Sequence, residues 1–346
     1  MQFEVEDIPI EEWQCQYYVR KGELIMALRF LHATPQQLLE MSSSDLLTAI
    51  RISEGRTIMS CARTRCGNLV DYVSNAELAA AFGADIIMLD TYEPANPYIP
   101  GWPSKDPADD EITKDIQVPK GKGYSLKEIR RIVGRPVAVL LVVHSDKNKA
   151  GAIKHYGNIL ASAENAKIAL ESGADMVTVT GWAPLDILKE TLDEIRKVVK
   201  GNAIFEYSRP HGPGLIGQSD TKLGPSGLIS DDEIRTILDS GVDVLGLPAP
   251  GTYPGFTVEL AGKYVEMIHN AGVLASLGLH TSQEGSDIDT IKRIAILAKE
   301  AGADMHELGD SGFNEAIIEP LNIMNYSIAI RGRRHTYRRM AMSIKR

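Results

Sequence analysis

Cysteine is scarce in this sequence: Cys15, Cys61 and Cys66 are the only three in 346 residues. Three scattered thiols cannot build a disulfide framework and fit a reducing compartment. Cys61 and Cys66 lie five apart, with no further Cys or His cluster to complete a zinc site. No apolar run reaches the length of a transmembrane helix. The N-terminal stretch "MQFEVEDIPIEEW" is acidic, with neither the basic n-region nor the apolar h-region of a secretory signal. The expectation is a cytoplasmic protein with no membrane partner. Positive charge is short too. Lys and Arg number 37 against 46 Asp and Glu, a formal net charge of −9, which argues against a general nucleic-acid binder. No GxGxxG follows the first apolar strand and no Walker sequence occurs, so nucleotide and flavin signatures are both missing.

What is present reads as an ordinary globular chain, 44% hydrophobic and 24% charged, long enough to bury a large core. Its main signal is an internal echo. "AAAFGADIIMLD", "ALESGADMVTVT", "ILDSGVDVLGLP" and "LAKEAGADMHEL" each close a helix on glycine and open a short apolar strand, and "MIHNAGVLASLGLH" is a looser copy. Helix starts are marked by Ser74–Glu77, Ser125–Glu128 and Ser230–Glu233, all at capping-box spacing. These signals predict strands near 57–62, 85–90, 136–143, 175–180, 203–207, 243–248, 273–279 and 304–308. Helices follow near 74–82, 125–133, 161–172, 184–200, 231–240, 257–271, 287–301 and 313–330. Eight βα units imply an α/β fold of the (β/α)8 TIM-barrel class, with a doubly wound open sheet as the alternative. The organisation is then a helical N-terminal extension (1–55), a barrel (56–330) and a basic C-terminal tail (331–346). Long loops follow strand two (91–124) and strand five (208–230), and at least one should close over the barrel mouth.

In such barrels the chemistry lies at the C-terminal strand ends. Acidic and histidine side chains gather there while the strand bodies are almost free of charge. Asp90, Glu206, His211 and Glu307 are the candidate catalytic residues. Carboxylates facing a barrel mouth can divide into acid and base, or hold a divalent metal such as Mg²⁺, for which Asp90 and Glu206 are the candidate ligands. The alternative is a buried salt-bridge or hydrogen-bond network with Arg209 and the histidines. Ser282, Gly285, Ser286, Gly309, Ser311 and Gly312, with Arg209, are candidates for binding an anion, phosphate or carboxylate, at free helix N-termini. Gly309-Asp310-Ser311-Gly312 resembles the serine loop of trypsin-like proteases, but it follows the last strand of an alternating βα chain, where Ser311 suits a helix start better than a nucleophile. No lysine in or at the end of strands five to eight offers a Schiff base, and "TIMSCART" lacks the His-x-His of metal-dependent amidohydrolases. The run "IIMLDT" opens like a haloacid dehalogenase motif, but Tyr92 replaces the second aspartate. The basic end, "RGRRHTYRRMAMSIKR", reads as a partner for acidic surface on this or a neighbouring subunit rather than for nucleic acid.

The stretches "SNAELAAAFGADIIMLD" and "ALESGADMVTVTGW" resemble phosphate-binding (β/α)8 barrels, among them BtpA-like proteins and phosphoenolpyruvate mutase-type enzymes. The chain is most similar to an uncharacterised bacterial barrel family, some members of which carry a haloacid dehalogenase-like label. The resemblance implies the fold across about residues 35–330. Mutase-type enzymes hold Mg²⁺ through an adjacent acidic pair, whereas Asp90 stands alone. The reading is an enzyme acting on a small phosphorylated or carboxylated anionic metabolite by isomerase, lyase or hydrolase chemistry, in a homo-oligomer. The alternative is a non-catalytic metabolite-binding, assembly or regulatory barrel.

Overall fold

Alternation of short, continuously apolar strands with amphipathic helices leaves a parallel sheet no solvent-facing side, and closure into a barrel satisfies it. The computed structural model describes residues 15–20, 23–113, 116–144, 157–210, 228–309, 312 and 318–346. An antiparallel hairpin comes first, β1 (Cys15–Arg20) with β2 (Glu23–Leu28), then α1 (Pro35–Glu40) and α2 (Ser43–Arg51). The barrel strands are β3 (Thr57–Arg63), β4 (Ile86–Asp90), β7 (Val137–Val142), β8 (Met176–Thr180), β9 (Ile204–Ser208), β10 (Val244–Pro248), β11 (Leu274–Leu279) and β12 (Met305–Leu308). They close in sequence order, β12 pairing in parallel with β3, into an eight-stranded (β/α)8 barrel. β5 (Glu111–Thr113) and β6 (Ile116–Val118) form a small hairpin in the loop after β4.

The helices Asn75–Ala81, Leu126–Val133, Ala163–Ser172, Leu185–Val199, Asp231–Asp239, Val258–Asn270 and Ile288–Glu300 surround the barrel. Ser74, Ser125 and Ser230 each make the full reciprocal capping box. Among the described residues no helix is long and apolar enough to cross a membrane. Two departures from the sequence reading matter. The extension carries the β1–β2 hairpin as well as two helices. The last helix spans Pro320–Ala341, bent at Gly332 (φ 76°, ψ 164°), so it starts later than 313 and runs through position 331 into the basic segment. Pro320 suits a first helical turn, where its missing N–H costs nothing. Residues 313–317 lie outside the described residues.

The echoed aspartates have a shared task. Asp85, Asp175, Asp243 and Asp304 each precede a strand at the N-terminal end of the barrel. Their backbone N–H groups donate to the carbonyls of Ile58, Val137, Phe205 and Ala275 at 2.7–3.0 Å. Their carboxylates accept, at 2.8–2.9 Å, from the N–H groups of those same four residues. Each carboxylate therefore finishes the ladder of the strand before it, where a terminal N–H would otherwise be buried unsatisfied. Each also meets a cation: Asp175 meets Arg130 at 2.9 Å, Asp243 meets Arg196 at 3.0 Å, and Asp304 meets His269 at 2.8 Å. Asp85 meets Arg331 and, at 2.7 Å, Arg339. Both arginines come from the basic C-terminal segment, which folds onto the chain's own acidic group. Arg339 also donates to the Phe30 and Ala33 carbonyls, and Arg331 to those of Gly83 and Arg56.

Alternation within the strands produces two cores. Outward residues such as Ile87, Val139, Phe205 and Leu277 pack against the helices. Inward residues Met59, Cys61, Met88, Ala138, Met176, Ile204, Val244, Leu274 and Met305 fill the barrel from below, closed by Phe30, Leu38, Leu46 and Ile50. The lumen is thus a dry apolar plug at its N-terminal end, and polar groups begin above it.

Candidate active site

On β9 the inward positions are Ile204, Glu206 and Ser208, because Phe205 and Tyr207 belong to the outer core. Glu206 is therefore set inside the barrel, at 0% exposure. Thr178, its ladder partner on β8, donates its hydroxyl to Glu206 Oε2 at 2.8 Å. Glu206 Oε1 has no hydrogen-bond partner among the described residues, and neither has the hydroxyl of the fully buried Ser276 on β11. Burial, and then the neighbouring carboxylate of Glu307, hold Glu206 well above the usual carboxylate range, with Thr178 and His280 pulling the other way. The environment of Glu206 favours its protonated form.

Glu307 lies on β12, with 2% of its side chain exposed. Ser208 donates its hydroxyl to Glu307 Oε2 at 3.2 Å. That bond joins β9 to β12 with β10 and β11 lying between them in the barrel wall. It can form because the intervening strands carry glycine at this level, Gly246 beside Ser208 and Gly278 beside Glu307. A Cβ on Gly246 would sit 2.9 Å from the Ser208 hydroxyl. The other Glu307 oxygen, Oε1, lies 3.2 Å from His280 Nε2, just past the end of β11.

The structure thus unites Glu206 and Glu307 and adds Thr178, Ser208 and His280. It does not bring Asp90 to them. That carboxylate takes the Arg63 Nε at 2.6 Å, on the neighbouring strand end. The donor set does not suit a divalent cation shared by Asp90 and Glu206, since one carboxylate is occupied by a guanidinium and the other favours its protonated form. Among the described residues no group of three His, Cys, Asp or Glu side chains is arranged to hold a metal.

The anion candidates divide further. Arg209 is buried and turned outward, donating to the Leu228 carbonyl at 2.9 and 3.2 Å, with Glu233 at 3.5 Å. It ties the end of β9 to the start of the next helix. Ser282 and Gly285 bound a short 3-10 turn, and Gly285 packs so closely on the Gly312 carbonyl that a Cβ would lie 2.9 Å from it. Ser286 does not cap the next helix; Asp287 does, accepting from the N–H groups of Asp289 and Thr290 at 3.0 and 2.9 Å. Glu319 likewise fills the start of the last helix, and the Gly309 N–H donates to Glu284 at 2.9 Å. The protein's own carboxylates therefore take the Gly309 N–H and the first N–H groups of the two following helices. His211 and Ser311 lie outside the described residues.

His306, next to Glu307, is directed away from the lumen. Its ring joins the Tyr326 hydroxyl at 2.9 Å and the Gly55 carbonyl at 3.1 Å, and burial lowers its pKa to about 4. It is a neutral structural imidazole. The loop after β4 is fastened to the outer helices by Trp102 on Glu77 and Lys105 on Glu128, and to its own end by Tyr92 on the Tyr124 carbonyl. Most of the loop after β9 lies outside the described residues.

Fold and site define a closed (β/α)8 barrel with an acid pair inside its C-terminal end. The chain belongs to the family described as Domain of unknown function (DUF7916), whose model matches residues 31–346. No curated protein matches it. Among solved structures it is similar to a candidate phosphonomutase from Burkholderia cenocepacia J2315, with 12% identity, 78% of this chain and 92% of the other covered, and a TM-score of 0.41. It is also similar to the 7,8-dihydropteroate synthase of Vibrio fischeri ES114, with 11% identity, 91% and 96% covered, and a TM-score of 0.38. A third similarity is to the carboxyl transferase domain of Rhizobium etli pyruvate carboxylase, with 12% identity, 90% and 52% covered, and a TM-score of 0.45. Similarity at this level leaves the chemistry to be read from the chain's own site.

Proposed function

We propose that this protein is an enzyme that moves protons on a small carboxylated or phosphorylated metabolite at the barrel mouth. The observation that carries the reading is the Glu206–Glu307 pair. Two carboxyl groups are buried side by side at the end of the barrel that hosts chemistry. Burial and the neighbouring Glu307 push Glu206 toward its protonated form, the state a buried acid needs to donate a proton. Glu206 supplies the buried acid, its Oε1 without a hydrogen-bond partner among the described residues. Glu307, held by Ser208 and facing His280, supplies the basic side of the site. Isomerase, lyase and hydrolase chemistry all use this division of labour. No step is routed through a metal.

A panel of phosphorylated and carboxylated sugars and short acids, screened by thermal shift and then for turnover, tests the reading. Glu206→Gln and Glu307→Gln should still bind the active compound but lose roughly 100-fold or more in kcat. If a compound bound wild type and both variants with no turnover in any of them, the chain would be a metabolite-binding barrel instead.

A further inference from the structure

The acid pair is sealed in. Glu206 has no exposure and Glu307 almost none, whereas 26% of the His280 side chain is open. His280 lies past the C-terminal end of β11, and its ring folds back over the lumen toward Glu307. We propose that His280 is the group that meets the substrate and carries its proton, with Glu307 orienting the imidazole and Glu206 lying behind them as the buried acid. This inference rests on the catalytic reading above and assigns the substrate-facing role within it.

Two glycines show that the imidazole has a built seat. A Cβ on Gly278 would lie 2.6 Å from His280 Cδ2 and 2.8 Å from Nε2. A Cβ on Gly309 would lie 2.1 Å from Nδ1 and 2.8 Å from Cγ. Neither glycine has the positive φ that would call for one on backbone grounds. At both positions the missing side chain serves the ring and not the turn. The same point above Gly309 is 2.4 Å from Glu284 Oε1, so Glu284 borders the Nδ1 edge as Glu307 borders Nε2. Glu284 is itself fully buried and fixed by the Gly309 N–H. Among the described residues, the titratable groups facing the ring are thus Glu307 on β12, Glu284 on the turn after β11 and Glu206 on β9.

In the step this arrangement supports, an O–H or activated C–H bond of the substrate breaks and its proton passes to an imidazole nitrogen. The bonding electron pair stays on the substrate. The imidazolium is countered by Glu307, and the proton returns to substrate or product to close the cycle. The substrate class is a small hydroxy or carbonyl acid, or its phosphorylated counterpart, short enough for its acidic proton to reach the mouth of the lumen.

The test begins without a substrate. The His280 ring resonance, assigned with His280→Gln, is followed by NMR against pH in the full chain and in Glu307→Gln. Removing the Glu307 charge should lower the imidazole midpoint by a unit or more, a tenfold change in its proton affinity; an unmoved midpoint overturns the proposal. For any metabolite that wild type turns over, His280→Gln should lose roughly 100-fold in kcat with KM little changed, and should lose one limb of the pH–rate profile. Wild-type kcat and profile in His280→Gln, with both glutamine variants at 206 and 307 inactive, would overturn the role of His280 and leave the acid pair standing. If all three variants kept wild-type kinetics, both readings would fall.

Discussion

Replacing Glu206 with Gln should make this protein more stable, and increasingly so as the pH rises. The unfolded chain gives up the Glu206 proton near 4.5, while the folded chain keeps it to a much higher pH. Between those two values the native state binds the extra proton, so stability falls as pH rises. The slope is about 1.4 kcal/mol per pH unit for one such group. Gln mimics the neutral acid and keeps an oxygen to accept the Thr178 hydroxyl, so the variant loses the slope without losing the contact. Asp175, raised to about 6 mainly by burial, contributes a slope of the same sign below that pH. It is present in both proteins and cancels in the difference. Urea unfolding at pH 5, 6 and 7 reads the result. The stability gap between Glu206→Gln and wild type should widen by about 1.4 kcal/mol from pH 5 to pH 6. Parallel curves would mean that Glu206 is ionised in the fold, and the acid–base division would be wrong.

Further outcomes follow from the other buried charges and close contacts. Asp85→Asn strips the counter-charge from Arg331 and Arg339, both almost fully buried, and should cost about 3–5 kcal/mol in chemical denaturation; a loss below about 1 kcal/mol would show that the carbonyl partners suffice. His269 has its pKa raised chiefly by its hydrogen bond to Asp304. Its stabilisation is fully present below 6.5 and is lost as pH rises through the folded value. With the His269 side chain 40% exposed, the effect should stay under about 1 kcal/mol, so His269→Gln should lower Tm at pH 5.5 and hardly at pH 9. Gly309→Ala drives a methyl into His280 and Glu284 and should destabilise by about 1–3 kcal/mol. Gly67→Ala meets nothing within 4 Å, so a Tm unchanged within error is its expected control result.

The fold was legible because its signals are local. A capping serine, a closing glycine and an apolar strand repeat with the period of the unit, and strands read at 175–180 and 304–308 appear at Met176–Thr180 and Met305–Leu308. The Gly-Ala-Asp echo identified the joints, although what the aspartate does there needs the neighbouring strand to be seen. Glu206 and Glu307 were nominated by the rule that strand ends carry the chemistry, and the rule nominated Asp90 on the same ground. What separates them is three-dimensional. Arg63 lies one strand away from Asp90 and neutralises it, and no sequence spacing announces a cross-strand pair. The same limit hid the seat of His280, because Gly278 and Gly309 look like any strand-end glycine until the ring is seen between them. The helix starts beside the anion candidates are occupied for a simple reason. Asp287 is a good N-cap and the Glu319 carboxylate accepts from the first N–H groups of its helix, and a helix start already holding a carboxylate has little left to offer a ligand.

The two ends of the barrel treat the same functional group in opposite ways. At the N-terminal end four aspartates each accept a strand N–H and face a basic side chain. Those carboxylates are paid for twice over and serve the fold. At the C-terminal end, neither Glu206 nor Glu307 meets an arginine or lysine among the described residues, and one oxygen of Glu206 has no hydrogen-bond partner there. A core that only needed filling would be better served by the leucine or methionine found one layer below, since burying unpaired carboxyl groups is destabilising. The barrel thus holds two neighbouring buried carboxyl groups, one of them pushed toward its protonated form, beneath a histidine seated against two glycines. Such local cost is the usual mark of a site kept for chemistry or binding, and removing it at Glu206 should therefore raise stability while abolishing turnover.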